Sequence, residues 1–264
     1  MIKKSAVDII ALPAFTDNYI WVLRHAGKVA VVDPGDAAPV CEYLARTGET
    51  LCAILVTHHH ADHIGGIAEI LTKHPAPVYG PSGEKIPGLS NPLTGGEQVS
   101  LPALDCEFDV ISLPGHTLSH LAYYDAHINE VGSVFCGDTL FAAGCGRIFE
   151  GTPAQMHASL GKLAVLPAPT FVYCTHEYTA ANLRFALAVE PDNQAIQLRA
   201  QEVAATRAKG AFTVPTHIAL ELETNPFLRA NAPAVRAAAA AKLGHLPHDA
   251  LETFTAIREW KNNF

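Results

Sequence analysis

No run of about twenty apolar residues occurs in the 264-residue chain, so a membrane-spanning helix is not expected and no membrane partner is assigned. Positive charge is scarce. Lys and Arg total 18 against 26 Asp and Glu, a formal net charge of −8, and the clustered cations that neutralise phosphates are missing, which argues against a nucleic-acid partner. Six cysteines (Cys41, Cys52, Cys106, Cys136, Cys145, Cys174) are scattered without a CxxC pair or a compact disulfide framework. They read as reduced thiols of a cytoplasmic protein. The opening Met1-Ile2-Lys3-Lys4 resembles the start of a secretion signal, but Asp8 and Pro13 interrupt the apolar stretch that should follow, and the segment reads as mature protein. No repeat of fixed period and no low-complexity segment is found.

What is plentiful is apolar residues, 49% of the chain, and histidine, of which there are fourteen. The first half alternates short β-branched runs with turns. Val7–Ala14, Tyr19–Arg24 and Lys28–Val32 read as consecutive strands, and Asp33-Pro34-Gly35-Asp36 opens a helix running to about Arg46. Leu51–Val56 is a continuous apolar strand of the kind buried on both faces, and Ile64–Lys73 is helical. Further strands are expected at 77–80, 98–101, 107–113, 121–125, 133–136 and 170–174, with a helix opened by the capping box Thr152-Pro153-Ala154-Gln155. Beyond Glu177 strand signals vanish, and four Ala- and Leu-rich helical segments are punctuated by prolines. The chain therefore reads as two domains, a mixed α/β domain over 1–176 and an all-α domain over 177–264.

One stretch carries the chemistry. Thr57-His58-His59-His60-Ala61-Asp62-His63 follows the buried strand and precedes Gly65-Gly66, which leave room where the next helix passes. The spacing HxHxDH offers His58 and His60 to one cation and Asp62 and His63 to a neighbouring one. A two-metal site needs more donors, and three strand ends supply them: Gly115-His116-Thr117, Gly137-Asp138-Thr139 and Thr175-His176-Glu177. His58, His60 and His116 then serve one ion, Asp62, His63 and His176 the other, and the carboxylate of Asp138 bridges. A hydroxide between the ions completes both shells, with Asp62 and Asp138 as its carboxylate neighbours. The nitrogen-and-carboxylate set suits two divalent ions, zinc foremost and iron or manganese besides. His59 and His120 are assigned to packing around the ligands.

This donor set resembles the metallo-β-lactamase superfamily, which implies an αββα sandwich with the metals at one edge, here followed by a small all-α domain. Four further stretches, Thr16-Asp17-Asn18-Tyr19, Phe141 through Gly151, Thr175-His176-Glu177-Tyr178-Thr179 and Asn225-Pro226-Phe227-Leu228-Arg229, resemble the glyoxalase II (hydroxyacylglutathione hydrolase) family within it. The resemblance covers essentially the whole chain. It implies attack of the bridging hydroxide on S-D-lactoylglutathione or a related thioester, yielding glutathione and D-lactate, the second step of methylglyoxal detoxification, by a monomer. It also implies that Arg147, Phe149, Tyr178, Arg258 and Lys261 contact the substrate. Arg147 stands where the family often has Lys, and Phe149 where some members have Tyr. An iron-dependent glutathione persulfide dioxygenase of the same superfamily is the alternative, and would keep His58, His60, His116 and Asp138 while relaxing the second site. A metallo-nuclease would need a basic surface that a net charge of −8 does not offer.

Overall fold

Strand-favouring side chains separated by two- and three-residue turns give three antiparallel strands in succession, β1 (Asp8–Ala14), β2 (Asn18–His25) and β3 (Lys28–Val32). The protein was analysed as a computed structural model that describes residues 7–264, so Met1-Ile2-Lys3-Lys4 lies outside the described residues. The described chain divides into two compact units. One comprises residues up to Ser112 with Ser119–Gly137, and the other Leu113–Leu118 with Asp138–Phe264.

In the first unit β3 leads into α1 (Ala37–Thr47), whose start is capped by the Asp36 carboxylate accepting from Ala38 N at 3.0 Å and whose end is Gly48 at φ 70. β4 (Thr50–Leu55) then runs parallel to β3. The expected helix over Ile64–Lys73 is instead two, α2 (Ala61–Ile64) and α3 (Ile67–Lys73), parted at Gly65-Gly66. The reason is a close approach: a Cβ on Gly66 would lie 2.5 Å from the Asp36 carbonyl carbon and from Ala37 N. β5 (Val78–Pro81) and β6 (Leu89–Leu93) finish a mixed six-stranded sheet in the order β1-β2-β3-β4-β5-β6. The sequence reading missed β6, which contains Pro92, a residue confined in sheets to edges or bulges. α1 and α3 cover one face through Val40, Tyr43, Leu44, Ile67 and Ile70.

The remaining strands of this unit, β7 (Gln98–Leu101), β8 (Cys106–Ser112), β9 (Leu121–Asp125) and β10 (Ser133–Gly137), pair antiparallel in sequence order. Phe108, Tyr123 and Phe135 interlock edge to face in the apolar layer beneath them. The buried Tyr123 hydroxyl donates to Val56 O at 2.8 Å, tying this layer to the residue before the histidine-rich stretch.

The second unit begins with a hairpin of β11 (Leu140–Phe141) and β12 (Gly144–Cys145), then α4 (Pro153–Ala164), β13 (Phe171–Cys174), α5 (Thr179–Val189) and α6 (Gln194–Ala208). β14 (Thr216–His217), α7 (Ile218–Thr224), α8 (Pro233–Leu243) and α9 (Ala250–Asn262) complete it. β14 corrects the expectation that strands end at residue 177. It pairs Thr216 with Val172 and His217 with Phe171, and two residues are too few to leave a periodic signal.

α4 starts as the capping box foresees: Gln155 N donates to Thr152 Oγ1 at 3.2 Å and Thr152 N to Gln155 Oε1 at 2.9 Å. Thr152→Ala removes one of these bonds and is expected to cost about 1 kcal/mol, read as a lowered urea midpoint with an unchanged denaturant slope.

Candidate metal centre

The first unit carries four of the seven expected donors, held by a carboxylate that the sequence reading took for a turn residue. Asp33 follows β3, is buried, and has φ 53. One oxygen accepts from Thr57 N at 2.7 Å; the other accepts from Thr57 Oγ1 at 2.7 Å and lies 2.9 Å from His63 Nδ1. These contacts fix two tautomers. His63 must carry its proton on Nδ1, facing the carboxylate. Because Thr57 gives its hydroxyl proton to Asp33, its oxygen, 3.1 Å from His58 Nδ1, accepts from that ring. Both imidazoles thereby present the Nε2 lone pair, the state a cation requires. His58 Nε2 lies 3.1 Å from His60 Nδ1, and His63 Nε2 lies 3.6 Å from Asp62 Oδ2. Asn18 Nδ2 donates to that Asp62 oxygen at 3.0 Å, a role for the Asp17-Asn18 turn that spacing alone did not reveal.

His120, as expected, packs: its ring stacks on His58 with centroids 4.8 Å apart and planes at 22°. His59 turns to Glu84, with Nδ1 3.2 Å from Oε2.

The second unit carries the other three donors. His116 Nδ1 donates to Arg147 O at 2.7 Å, which again leaves Nε2 as the lone-pair nitrogen. That Nε2 is 3.5 Å from Asp138 Oδ2, and His176 Nε2 is 3.3 Å from the same oxygen. Gly146 lets the chain close over this group, since a Cβ there would lie 1.9 Å from Asp138 O and 3.2 Å from His116 Nδ1. Donors about 2.1 Å from a tetrahedral cation stand roughly 3.4 Å apart, and the four donor–donor distances within the units, 3.1, 3.6, 3.5 and 3.3 Å, bracket that value. The donor chemistry and spacing fit a divalent ion.

The five residues expected to face substrate all lie in the second unit. Tyr178 is exposed and stacks on His176 with centroids 4.7 Å apart and planes at 1°, while exposed Phe149 meets the His116 ring edge-on at 5.3 Å. Exposed Arg147 directs Nη2 to Asn262 O at 3.5 Å. Arg258 and Lys261 share one end of α9 in different settings. Arg258 is buried, with Nη1 donating to Cys145 O at 3.0 Å and Nη2 to Asn262 Oδ1 at 3.1 Å. Lys261 is half-buried, its Nζ 3.3 Å from Ala181 O. Burial, and then the charges of Arg258 and Arg184, bring its ammonium down to a pKa of about 8.

Residues 14–176 match the family model of the metallo-beta-lactamase superfamily, and residues 177–264 match that of the hydroxyacylglutathione hydrolase C-terminus. The chain belongs to the hydroxyacylglutathione hydrolase family of that superfamily. A hydroxyacylglutathione hydrolase of Pseudomonas paraeruginosa is 52% identical over 98% of this chain and 100% of its own length, and one of Dechloromonas aromatica is likewise 52% identical with the same coverage. Among solved structures, ETHE1 from Myxococcus xanthus aligns over 97% of this chain and 99% of its own with a TM-score of 0.64, at 23% identity. TTHA1623, solved in a di-iron-bound form, aligns over 84% of this chain and 100% of its own with a TM-score of 0.59 at 26% identity. The fold is the metallo-β-lactamase fold with a helical C-terminal domain.

Asp33→Asn keeps the shape of the residue that fixes both tautomers but removes its charge. It is expected to weaken divalent-metal affinity 10- to 100-fold, measured by competition with a chromophoric chelator, with the circular-dichroism spectrum unchanged.

Proposed function

We propose that the chain hydrolyses 2-hydroxyacylglutathione thioesters, S-D-lactoylglutathione foremost, to glutathione and the 2-hydroxy acid. The observation that carries this reading is the 52% identity over 98% of the chain, and the full length of the relative, to a protein named hydroxyacylglutathione hydrolase. Residues 1–176 form the catalytic domain and 177–264 the substrate-binding domain in this reading. Two divalent ions are its cofactors, zinc foremost, with iron or manganese accepted by the same donors. His58, His60 and His116 would hold one, Asp62, His63 and His176 the other, and Asp138 would serve both. Such ions lower the pKa of bound water from 15.7 towards about 7 and act as Lewis acids on a carbonyl oxygen.

The protein's own residues do the rest. Asp33 and Thr57 keep protons on the Nδ1 atoms of His63 and His58, and the Arg147 carbonyl does so for His116. Arg147, Arg258 and Lys261 bring positive charge to the glutathione carboxylates, and Phe149 and Tyr178 wall the thioester. A thiolate with a pKa of about 8.5 leaves without a general acid. Cysteine nucleophiles are poor candidates: burial pushes the Cys174 thiol up to about 12 and raises Cys145 in spite of Arg258. Six cysteines scattered without a CxxC pair accord with a reducing cytoplasm, and a monomer suffices, since all seven donors belong to one chain. No helix of the described residues is long and apolar enough to cross a membrane. The dioxygenase reading is not favoured: relatives at about half identity carry the hydrolase name, and the ETHE1 likeness, at 23% identity, reaches only the fold.

The test is loss of thioester absorbance with S-D-lactoylglutathione, with metal content measured in parallel; a preparation holding two ions per chain that fails to turn over would overturn the reading. Arg147→Gln and Lys261→Gln should raise KM about 10-fold or more while kcat moves less than about 3-fold. Because Lys261 loses its proton near pH 8, KM should climb above that pH in the native protein and stay flat in Lys261→Arg. The sign for stability runs the other way. Between about 8 and the ordinary 10.5 the unfolded chain binds the proton that the folded one does not, so this group makes the fold more stable as pH rises through that window.

A further inference from the structure

The stretch Asn225-Pro226-Phe227-Leu228-Arg229 has no part in the chemistry described so far. Asn225 is fully buried just after α7, and it faces the turn of the β11–β12 hairpin. That turn has only two residues, Ala142 and Ala143, both buried, and Ala143 sits at φ 56. Buried backbone polar groups must be paired, and a left-handed alanine carries a conformational cost. Side chains of the C-terminal helices supply the partners. Asn225 Nδ2 donates to Gly144 O at 2.8 Å and to Phe141 O at 3.2 Å. Asn182 Nδ2 donates to Ala142 O at 3.1 Å. Glu221 Oε2 accepts from Ala143 N at 2.8 Å and from Asn225 at 2.9 Å.

Glu221 is itself fully buried and cannot rotate away. Its other oxygen accepts from Arg199 Nη2 at 2.6 Å and from Thr216 Oγ1 at 2.7 Å. Arg199 spends a further nitrogen on Thr224 Oγ1. A charge pair so enclosed, with its remaining polar atoms bonded, holds one geometry.

What the hairpin touches gives the lock its meaning. Phe141 meets the rings of His176 at 5.8 Å and Tyr178 at 5.3 Å, both edge-on. The other strand ends at Cys145, and Gly146 leads on to Arg147, whose carbonyl accepts the hydrogen bond from His116 Nδ1.

We propose that Glu221 and Asn225 are positioning residues for thioester hydrolysis: through the buried Ala142-Ala143 turn they set Phe141 against His176 and Tyr178, and the Cys145–Arg147 segment against His116. The inference rests on the reaction assigned above, and it gives the C-terminal helices a part in aiming the metal donors as well as in choosing the substrate. A 1 Å displacement of such groups is enough to cost about 100-fold in rate.

The experiment compares metal-loaded wild type, Asn225→Ala and Glu221→Gln with Val235→Ala, a cavity variant at a fully buried position of α8, a helix that packs on α5 and α9. Expected for Asn225→Ala is a kcat at least about 10-fold lower with KM within about 3-fold, and metal transfer to a chelator about 10-fold faster than from Val235→Ala at equal distance below the melting temperature. Glu221→Gln, which keeps size but turns one accepting oxygen into a donor and ends the charge pair with Arg199, should shift both quantities in the same direction, and it decides the matter if Asn225→Ala does not fold. Asn225→Ala and Glu221→Gln that match Val235→Ala in kcat and chelator rate would overturn the proposal. Should wild type fail to hydrolyse the thioester, the assigned reaction falls, while the chelator rates still judge the positioning role.

Discussion

The Asp33 carboxylate is the constraint on which the first unit's chemistry depends. A buried carboxylate is costly unless fully hydrogen-bonded, and Thr57 N, Thr57 Oγ1 and His63 Nδ1 meet that requirement. Each bond also does something at a distance. The backbone bond pins the exit of β4, the hydroxyl bond determines which way Thr57 faces His58, and the imidazole bond orders His63. Without that anchor, HxHxDH would be a flexible polar loop whose rings could take either tautomer. With it, the rings arrive with their protons already placed.

The second unit solves the same problem by other means. Behind His116 stands a backbone carbonyl, and a carbonyl is only as well placed as the chain that carries it. That chain is the hairpin segment ending at Arg147, held at its turn by Asn182, Glu221 and Asn225 and at Cys145 O by Arg258. Arg258 consequently has a structural share beside the recognition role assigned to it, since two of its nitrogens are engaged within the fold. His176 is steadied by ring contacts instead, flat against Tyr178 and edge-on to Phe141.

Much of this was legible in the sequence, because the donors follow apolar strands directly and strands have a clear signature. His58, His116, Asp138 and His176 each come within a few residues of a strand end, and HxHxDH narrows the chemistry by spacing alone. Asp33 has the same placement after β3, but Asp, Pro and Gly are all turn-favouring residues, and that turn signal masked its hold on Thr57 and His63. Asn18 was hidden likewise. The stretch from Asn225 to Arg229 stood out only as a resemblance; what the Glu221–Asn225 lock does was not legible, since its bonds join residues about 80 apart and its targets are backbone atoms with no identity in a sequence. The split between α2 and α3 and the short β14 depend on tertiary approach, to which periodicity is blind.

Charge separates the two tasks of the site. The chain as a whole is at −8, which disfavours a net-anionic tripeptide at long range, so attraction must come from short-range groups. Burial first, and then the nearby charges of Arg258 and Arg184, depress the Lys261 ammonium, so part of the depression is mutual repulsion among cations. In the proposed reading, a substrate carboxylate placed beside these cations would relieve that repulsion and raise the affinity of Lys261 for its proton, a stabilisation open only to an anionic ligand. The metal donors carry no such preference for glutathione. His58, His116, Asp138 and His176 lie just past strands and Asp62 and His63 on α2, all set by the fold itself, whereas in the proposed reading the cations hold an unfavourable arrangement that an anionic ligand would complete.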